Sequence, residues 1–290
     1  MTTPAVSSRN RAGLLSWLME CLAFGPDPAT VQGRELGRVL LALLLVGLGI
    51  RGCAFGDFAG VWQRIPIAHL PAQPLFVYAT ALVELIAGIG LLVRVTARTA
   101  AAMTTVFAML WMVLLKFPAI IARPDIEGTW LGAGEIAVIV AGAWSLYAML
   151  SMREDRLFAG RKGLCFARLL FVLALPTIGL SHFLYLEQTV ALIPAWLPWH
   201  AAWACLTGAA DIATAFAILF ALWPRLAATL EAAMLWAITL IVWLPVLSGH
   251  LRDGGAWAAF LMSGAIAAGA AAMADSYRGT GWFSRIPRRG

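Results

Sequence analysis

The sequence predicts an all-α integral membrane protein with eight transmembrane helices, arranged as two parallel four-helix repeats. Three observations carry this. The chain is 61% hydrophobic and only 12% charged, with a mean hydropathy of +0.83; a soluble domain has about 45–50% apolar and about 25% charged residues. Eight long apolar stretches lie at about 37–56, 75–93, 99–122, 129–151, 164–186, 200–222, 226–248 and 255–274. Stretches of roughly 18 or more such residues read as spans, because lipid offers no partner to a bare backbone N–H or C=O. Finally, residues 71–145 shifted by 127 positions fall on 198–272. Pro71 lands on Pro198, Glu84 on Asp211, Arg98 on Arg225, Pro118 on Pro245, Gly128 on Gly255 and Trp130 on Trp257.

The repeat organises the chain. An N-terminal segment, 1–35, precedes the first four-helix repeat at 36–152. A charged linker, 153–163, leads to the second repeat at 164–275, and a basic tail occupies 276–290. An even number of spans per copy sends both copies into the membrane in the same direction. The repeats are therefore parallel, related by a pseudo-twofold along the membrane normal, as in a fused internal pseudo-dimer. Residues 12–24 read as an interfacial helix ended by Gly25-Pro26-Asp27-Pro28. Residues 57–74 and 187–199 are too apolar for free loops and too proline-broken for spans, so short segments lying at the outer face are expected. Pro118 and Pro245 sit at one depth in the third span of each repeat, where proline permits a kink.

Charge placement gives the orientation. Arg34, Arg38, Arg94, Arg98, Arg153, Arg156, Arg161, Lys162, Arg168, Arg225, Arg278 and Arg285 fall on one side; only Arg64, Arg123 and Arg252 fall in the opposite loops. The positive-inside rule puts both termini in the cytoplasm, with a bacterial inner membrane as the expected location. Topology accounts for the arginines, so nucleic acid is not an expected partner; the lipid bilayer is. The four cysteines, Cys21, Cys53, Cys165 and Cys205, form no C-x-x-C pair, which argues against thiol redox or Fe–S chemistry. No glycine-rich phosphate loop is present.

Gly179-Leu-Ser-His-Phe183, Ile193-Pro-Ala-Trp-Leu-Pro198 and Leu206-Thr-Gly-Ala-Ala-Asp211 together resemble the DoxX-like family of small membrane proteins. Its pattern reads G-x-x-H-F, V/I-P-x-W/F-L-P and Y/L-T-G-x-x-E, with Asp211 here in place of the usual Glu. The second repeat carries this likeness best. The first keeps Glu84 but has Arg51-Gly-Cys where the second has His182-Phe. The resemblance implies a four-span unit and a link to quinone-coupled sulfur oxidation and oxidative-stress complexes, hence a quinone as the cofactor to consider and a redox partner subunit.

Ionisable residues within spans are costly and normally face a bundle interior or a wet cavity. Glu84 and Asp211 are placed near mid-membrane, with His182 about one turn below the outer end of span five. A hypothetical proton or ligand site is therefore expected around Asp211, His182 and Glu84. Arg51–Glu84 and Lys116–Glu135 offer neutral pairs that would hold helices in register in the first repeat. The second repeat has Trp243 and Met262 in place of Lys116 and Glu135, leaving Asp211 with His182. Glu231 reads as an interfacial partner of Arg225. His69, His200 and His250 lie toward the outer face without i, i+4 spacing, so no metal is assigned. Three functions are compatible: a quinone-linked redox subunit or partner, a non-catalytic membrane scaffold, and, with least support from even-span parallel repeats, a small-solute transporter.

Overall fold

A computed structural model describes residues 36–59, 72–152 and 157–284. Eight helices among them are long and apolar enough to cross a membrane. These are α1 (Leu36–Phe55), α2 (Gln73–Leu92), α3 (Ala97–Ala122), α4 (Glu127–Leu150), α5 (Gly160–Leu184), α7 (His200–Leu219), α8 (Pro224–Gly249) and α9 (Gly254–Asp275). A short helix, α6 (Leu186–Leu192), follows α5 at the expected position of an outer-face segment. The expected helix at 12–24 and most of the loop at 57–74 lie outside the described residues.

Element boundaries repeat at the same 127-residue offset as the sequence. Helices α2 and α7 begin at 73 and 200, α3 and α8 at 97 and 224, α4 and α9 at 127 and 254. The offset extends to backbone irregularities. Ala72 and Trp199, which precede α2 and α7, both adopt left-handed backbone, with φ of 59° and 57°. Each third span contains one π-helical turn, Met112–Lys116 in α3 and Thr239–Trp243 in α8. Pro118 and Pro245 explain it. Proline has no N–H to give to the carbonyl four residues back and crowds that carbonyl, so the preceding turn widens. Phe117 and Leu244 accordingly donate to the carbonyls five residues back, of Met112 and Thr239.

Packing runs as a closed ring: α1 on α2, α2 on α3, α3 on α4, α4 on α5, α5 on α7, α7 on α8, α8 on α9, and α9 back on α1. Helices α4 and α9 also cross each other at the centre and are the most buried spans. The four helices of one repeat therefore do not close on themselves. Helix α1 packs on α2 and on α9, and α4 mainly on α5, with little α1–α4 contact. The central crossing passes through Gly142 and Gly269, which are 127 positions apart. A Cβ built on Gly142 would lie 2.4 Å from the Gly269 Cα, so the two backbones touch. Small residues serve this purpose where lipid supplies no hydrophobic drive for helix association.

The end of the bundle where α1 begins is tied by polar contacts to the turns that follow α9. The backbone N–H of Gly37 donates to the Asp275 carboxylate at 2.9 Å. Arg168, fully buried, donates through Nε and Nη2 to Ser276 and stacks on the Tyr277 ring at 3.8 Å. An arginine buried this way is paired through its donors and its flat face.

Candidate functional site

Two glycines assemble the site in the second repeat. A Cβ on Gly179 in α5 would lie 2.5 Å from the Gly208 carbonyl oxygen, and one on Gly208 in α7 would lie 2.6 Å from the Gly179 carbonyl oxygen. Only residues without a side chain allow this approach of two backbones. Because α5 and α7 run antiparallel, each glycine also faces the polar residue of the other helix: a Cβ on Gly179 would lie 3.0 Å from the Asp211 Cβ, and one on Gly208 would lie 2.7 Å from the His182 Cβ. The result is His182 Nε2 at 4.0 Å from Asp211 Oδ2. That is ion-pair reach and longer than a hydrogen bond.

The array extends both ways. Outward, Thr207 Oγ1 lies 3.0 Å from His182 Nδ1 and also 2.9 Å from the Ala204 carbonyl oxygen. Inward, Asp211 faces Glu231 of α8, close enough for the two carboxyls to act on each other. Thr214, one turn along α7 from Asp211, lies beside Glu231. Asp211 and Glu231 are each 1% exposed. Asp211 Oδ1 and both Glu231 carboxyl oxygens have no partner in hydrogen-bond geometry among the described residues. The His182 side chain keeps 19% exposure, against 2% for that of Asp211, so the histidine forms the rim and the acids lie behind it.

Glu231 is the residue that the sequence reading misplaced. It was expected at the interface with Arg225. Arg225 instead donates to the Thr280 carbonyl oxygen at 2.9 Å and stacks over Trp282 at 4.0 Å, while Glu231 turns inward to Asp211. Hairpin arithmetic exposes the pairing. Asp211 lies eight residues before the end of α7 and Glu231 seven residues after the start of α8. At about 1.5 Å per residue, two antiparallel neighbours thus carry their acids at one depth.

The first repeat builds the same crossing with different chemistry. Gly52 and Ala81 take the places of Gly179 and Gly208, and a Cβ on Gly52 would lie 2.8 Å from the Ala81 Cβ. Glu84, 3% exposed, occupies the Asp211 position. Thr104 stands where Glu231 would be, its hydroxyl donating to the Ala100 carbonyl oxygen at 2.9 Å. At the 127-residue offset the position of His182 is held by Phe55, and Arg51-Gly-Cys, which the sequence reading set against His182-Phe, falls one turn earlier. Arg51 does not pair with Glu84: Nη1 donates to the Asp57 carbonyl oxygen at 2.6 Å, Nη2 lies 3.7 Å from the Asp57 carboxylate, and Nε donates to Gly254 of α9 at 3.2 Å. Depth is the reason. Arg51 is four residues from the end of α1, whereas Glu84 is eleven residues into α2. Lys116 does act on Glu135 electrostatically, and the π-turn in α3 places its ammonium against α4, 3.3 Å from where a Gly132 Cβ would stand.

The remaining histidines turn to local backbone. His200 Nε2 lies 3.2 Å from the Pro194 carbonyl oxygen and His250 Nδ1 3.0 Å from that of Val246; His69 is outside the described residues.

No curated protein and no solved structure matches the chain. A family model does: that of DoxX matches residues 33–116. The match covers the first three spans of the first repeat, the half in which the sequence reading found only an outline likeness. The chain is a multi-pass membrane protein in which residues 33–116 are similar to the DoxX family model.

Proposed function

We propose that this protein is a redox-associated membrane subunit or partner that handles a quinone, with His182, Asp211 and Glu231 as its ligand and proton site. One observation carries the reading: two carboxyls buried side by side, three of their oxygens without a hydrogen-bond partner among the described residues, and a histidine of the partly exposed rim at 4.0 Å. Two ionised carboxylates buried side by side repel each other, and one shared proton relieves that. The pair therefore keeps a proton, and His182 offers it a way out.

The residues fit a quinone head group at the rim. The Gly179–Gly208 contact leaves no room for a ring between α5 and α7, so the ring would lie against His182, with a carbonyl oxygen accepting from Nε2–H. A bound quinone supplies two-electron, two-proton chemistry. The protein supplies the proton path, and two proton arrangements satisfy it. In one, Thr207 donates to Nδ1 and Nε2 carries hydrogen. In the other, Thr207 donates to the Ala204 carbonyl, Nδ1 donates to Thr207, and Nε2 accepts from protonated Asp211. The two are the neutral tautomers of His182, related by loss of the Nε2 hydrogen, gain of one at Nδ1 and a turn of the Thr207 hydroxyl.

The arginine distribution supports a bacterial inner-membrane location with cytoplasmic termini, and the 127-residue offset supports a fused internal pseudo-dimer. A scaffold role is favoured for the first half, where Arg51 bridges α1 to α9 and Lys116 meets Glu135. Native mass spectrometry of detergent-extracted protein tests the proposal. We expect a co-purifying quinone, alone or with a partner subunit, that is lost on Asp211→Asn and kept on Glu84→Gln. Protein free of quinone even when extracted from quinone-rich membranes would refute it.

A further inference from the structure

A second surface lies at the opposite end of the same half, where α7 turns into α8. The final described turns of the chain fold across this corner. The Trp223 N–H donates to the Ser284 carbonyl oxygen at 3.2 Å, and the Trp223 ring meets Phe283 edge-on at 5.8 Å. Arg225 is held by Thr280 and lies flat on Trp282 at 4.0 Å. Among the described residues its one hydrogen bond runs from Nη1, so most of the guanidinium fork stays available to an acceptor. Despite this internal packing, Trp282 is 44% and Phe283 71% exposed. The corner is thus apolar, aromatic and cationic at once, at the level where spans end.

The motif recurs. Arg98 starts the third span of the first repeat as Arg225 starts that of the second, and it lies over Tyr147 at 5.9 Å. The chain beyond Ser284 adds Arg285, Arg288 and Arg289. Trp and Tyr belong at headgroup depth, where one edge is dry and the other wet, and arginine's planar fork matches phosphate. Arginines beside the ends of spans attract anionic lipid.

We propose that the Arg225–Trp282–Phe283 corner is a binding surface for the headgroup phosphate of an anionic phospholipid, Arg225 taking the phosphate while Trp282 and Phe283 enter the headgroup layer. It is independent of the quinone reading. The test uses the full chain, delipidated in detergent, with phosphatidylglycerol or phosphatidylcholine added, and reads retained lipid by native mass spectrometry and the unfolding midpoint. Wild-type protein should retain phosphatidylglycerol and be stabilised by it more than by phosphatidylcholine. Arg225→Gln and Phe283→Ala, the latter chosen because the ring is mostly exposed and its loss leaves the fold intact, should each reduce retention several-fold. Inorganic phosphate should give no such shift. Equal retention of both lipids, an unchanged preference in both variants, or the same stabilisation by inorganic phosphate would overturn the assignment.

Discussion

A carboxyl group that leaves water must find donors or keep its proton, and the charged residues of this chain divide by how they meet that demand. Asp125 stays outside. It lies in the exposed turn between α3 and α4, where the Arg123 guanidinium donates to it at 3.0 Å and 3.1 Å and holds its carboxyl below its ordinary value of 3.8. A depressed folded-state value contributes stability that is present above the unfolded value and lost as pH falls through the folded one. Asp125→Asn should therefore lower the unfolding midpoint only slightly near pH 7, as exposed pairs contribute little, and the difference from wild type should vanish below about pH 4. A pH-independent drop in the midpoint would contradict that account. Asp211 takes the other course, buried against Glu231 with His182 alongside. The sequence made Asp211 and His182 legible, because a lone acid and a lone histidine within spans stand out. Glu231 was not, because an acid seven residues into a span beside an arginine reads equally as an interfacial pair. Only the helical hairpin, which sets two antiparallel acids at one depth, decides between the partners.

Among the elements, α4 and α9 decide the architecture. Both are rich in Ala and Gly and buried on nearly every face, so neither has a polar stripe to orient it. Their position is fixed by where two backbones can touch. Gly142→Ala should lower stability by about 1–3 kcal/mol, the usual cost of overpacking, because its Cβ would meet the Gly269 backbone at 2.4 to 2.8 Å. Gly249→Ala, with nothing within 4 Å of the added carbon, is the matched control. Thermal unfolding in one detergent compares the two; equal midpoints would mean that the central crossing is looser than described. The spans and prolines were legible by length and residue type. The π-turns were not, since proline announces a kink without stating how the preceding turn absorbs it.

For the whole molecule, the repeat is a property of the ring as much as of either half. Each half lends its fourth helix to the first helix of the other, α9 to α1 and α4 to α5, and the two fourth helices meet at the centre. Duplication read from sequence anticipates two matching units; the way the units close on one another depends on contacts between distant residues that no local pattern records. A chain cut within 153–163 and expressed as two halves should give no stable folded half alone, while co-expression restores a complex that elutes as the intact protein by size exclusion. A first half that folds and runs as a monomer by itself would contradict the ring. The DoxX match lies on that first half, whereas the array of His182, Asp211 and Glu231 lies on the second. The account therefore assigns scaffold to one copy and chemistry to the other.

The most direct test of that assignment is an equilibrium titration of purified protein with a short-chain quinone, comparing wild type with Asp211→Asn, Glu231→Gln and Glu84→Gln. The account predicts saturable binding at one site, weakened several-fold by Asp211→Asn, which removes the carboxyl 4.0 Å from the ring nitrogen that meets the quinone. It predicts dependence on pH that Glu231→Gln alters, and no change on Glu84→Gln. Equal weakening by Asp211→Asn and Glu84→Gln, or no saturable binding by wild type, would contradict it.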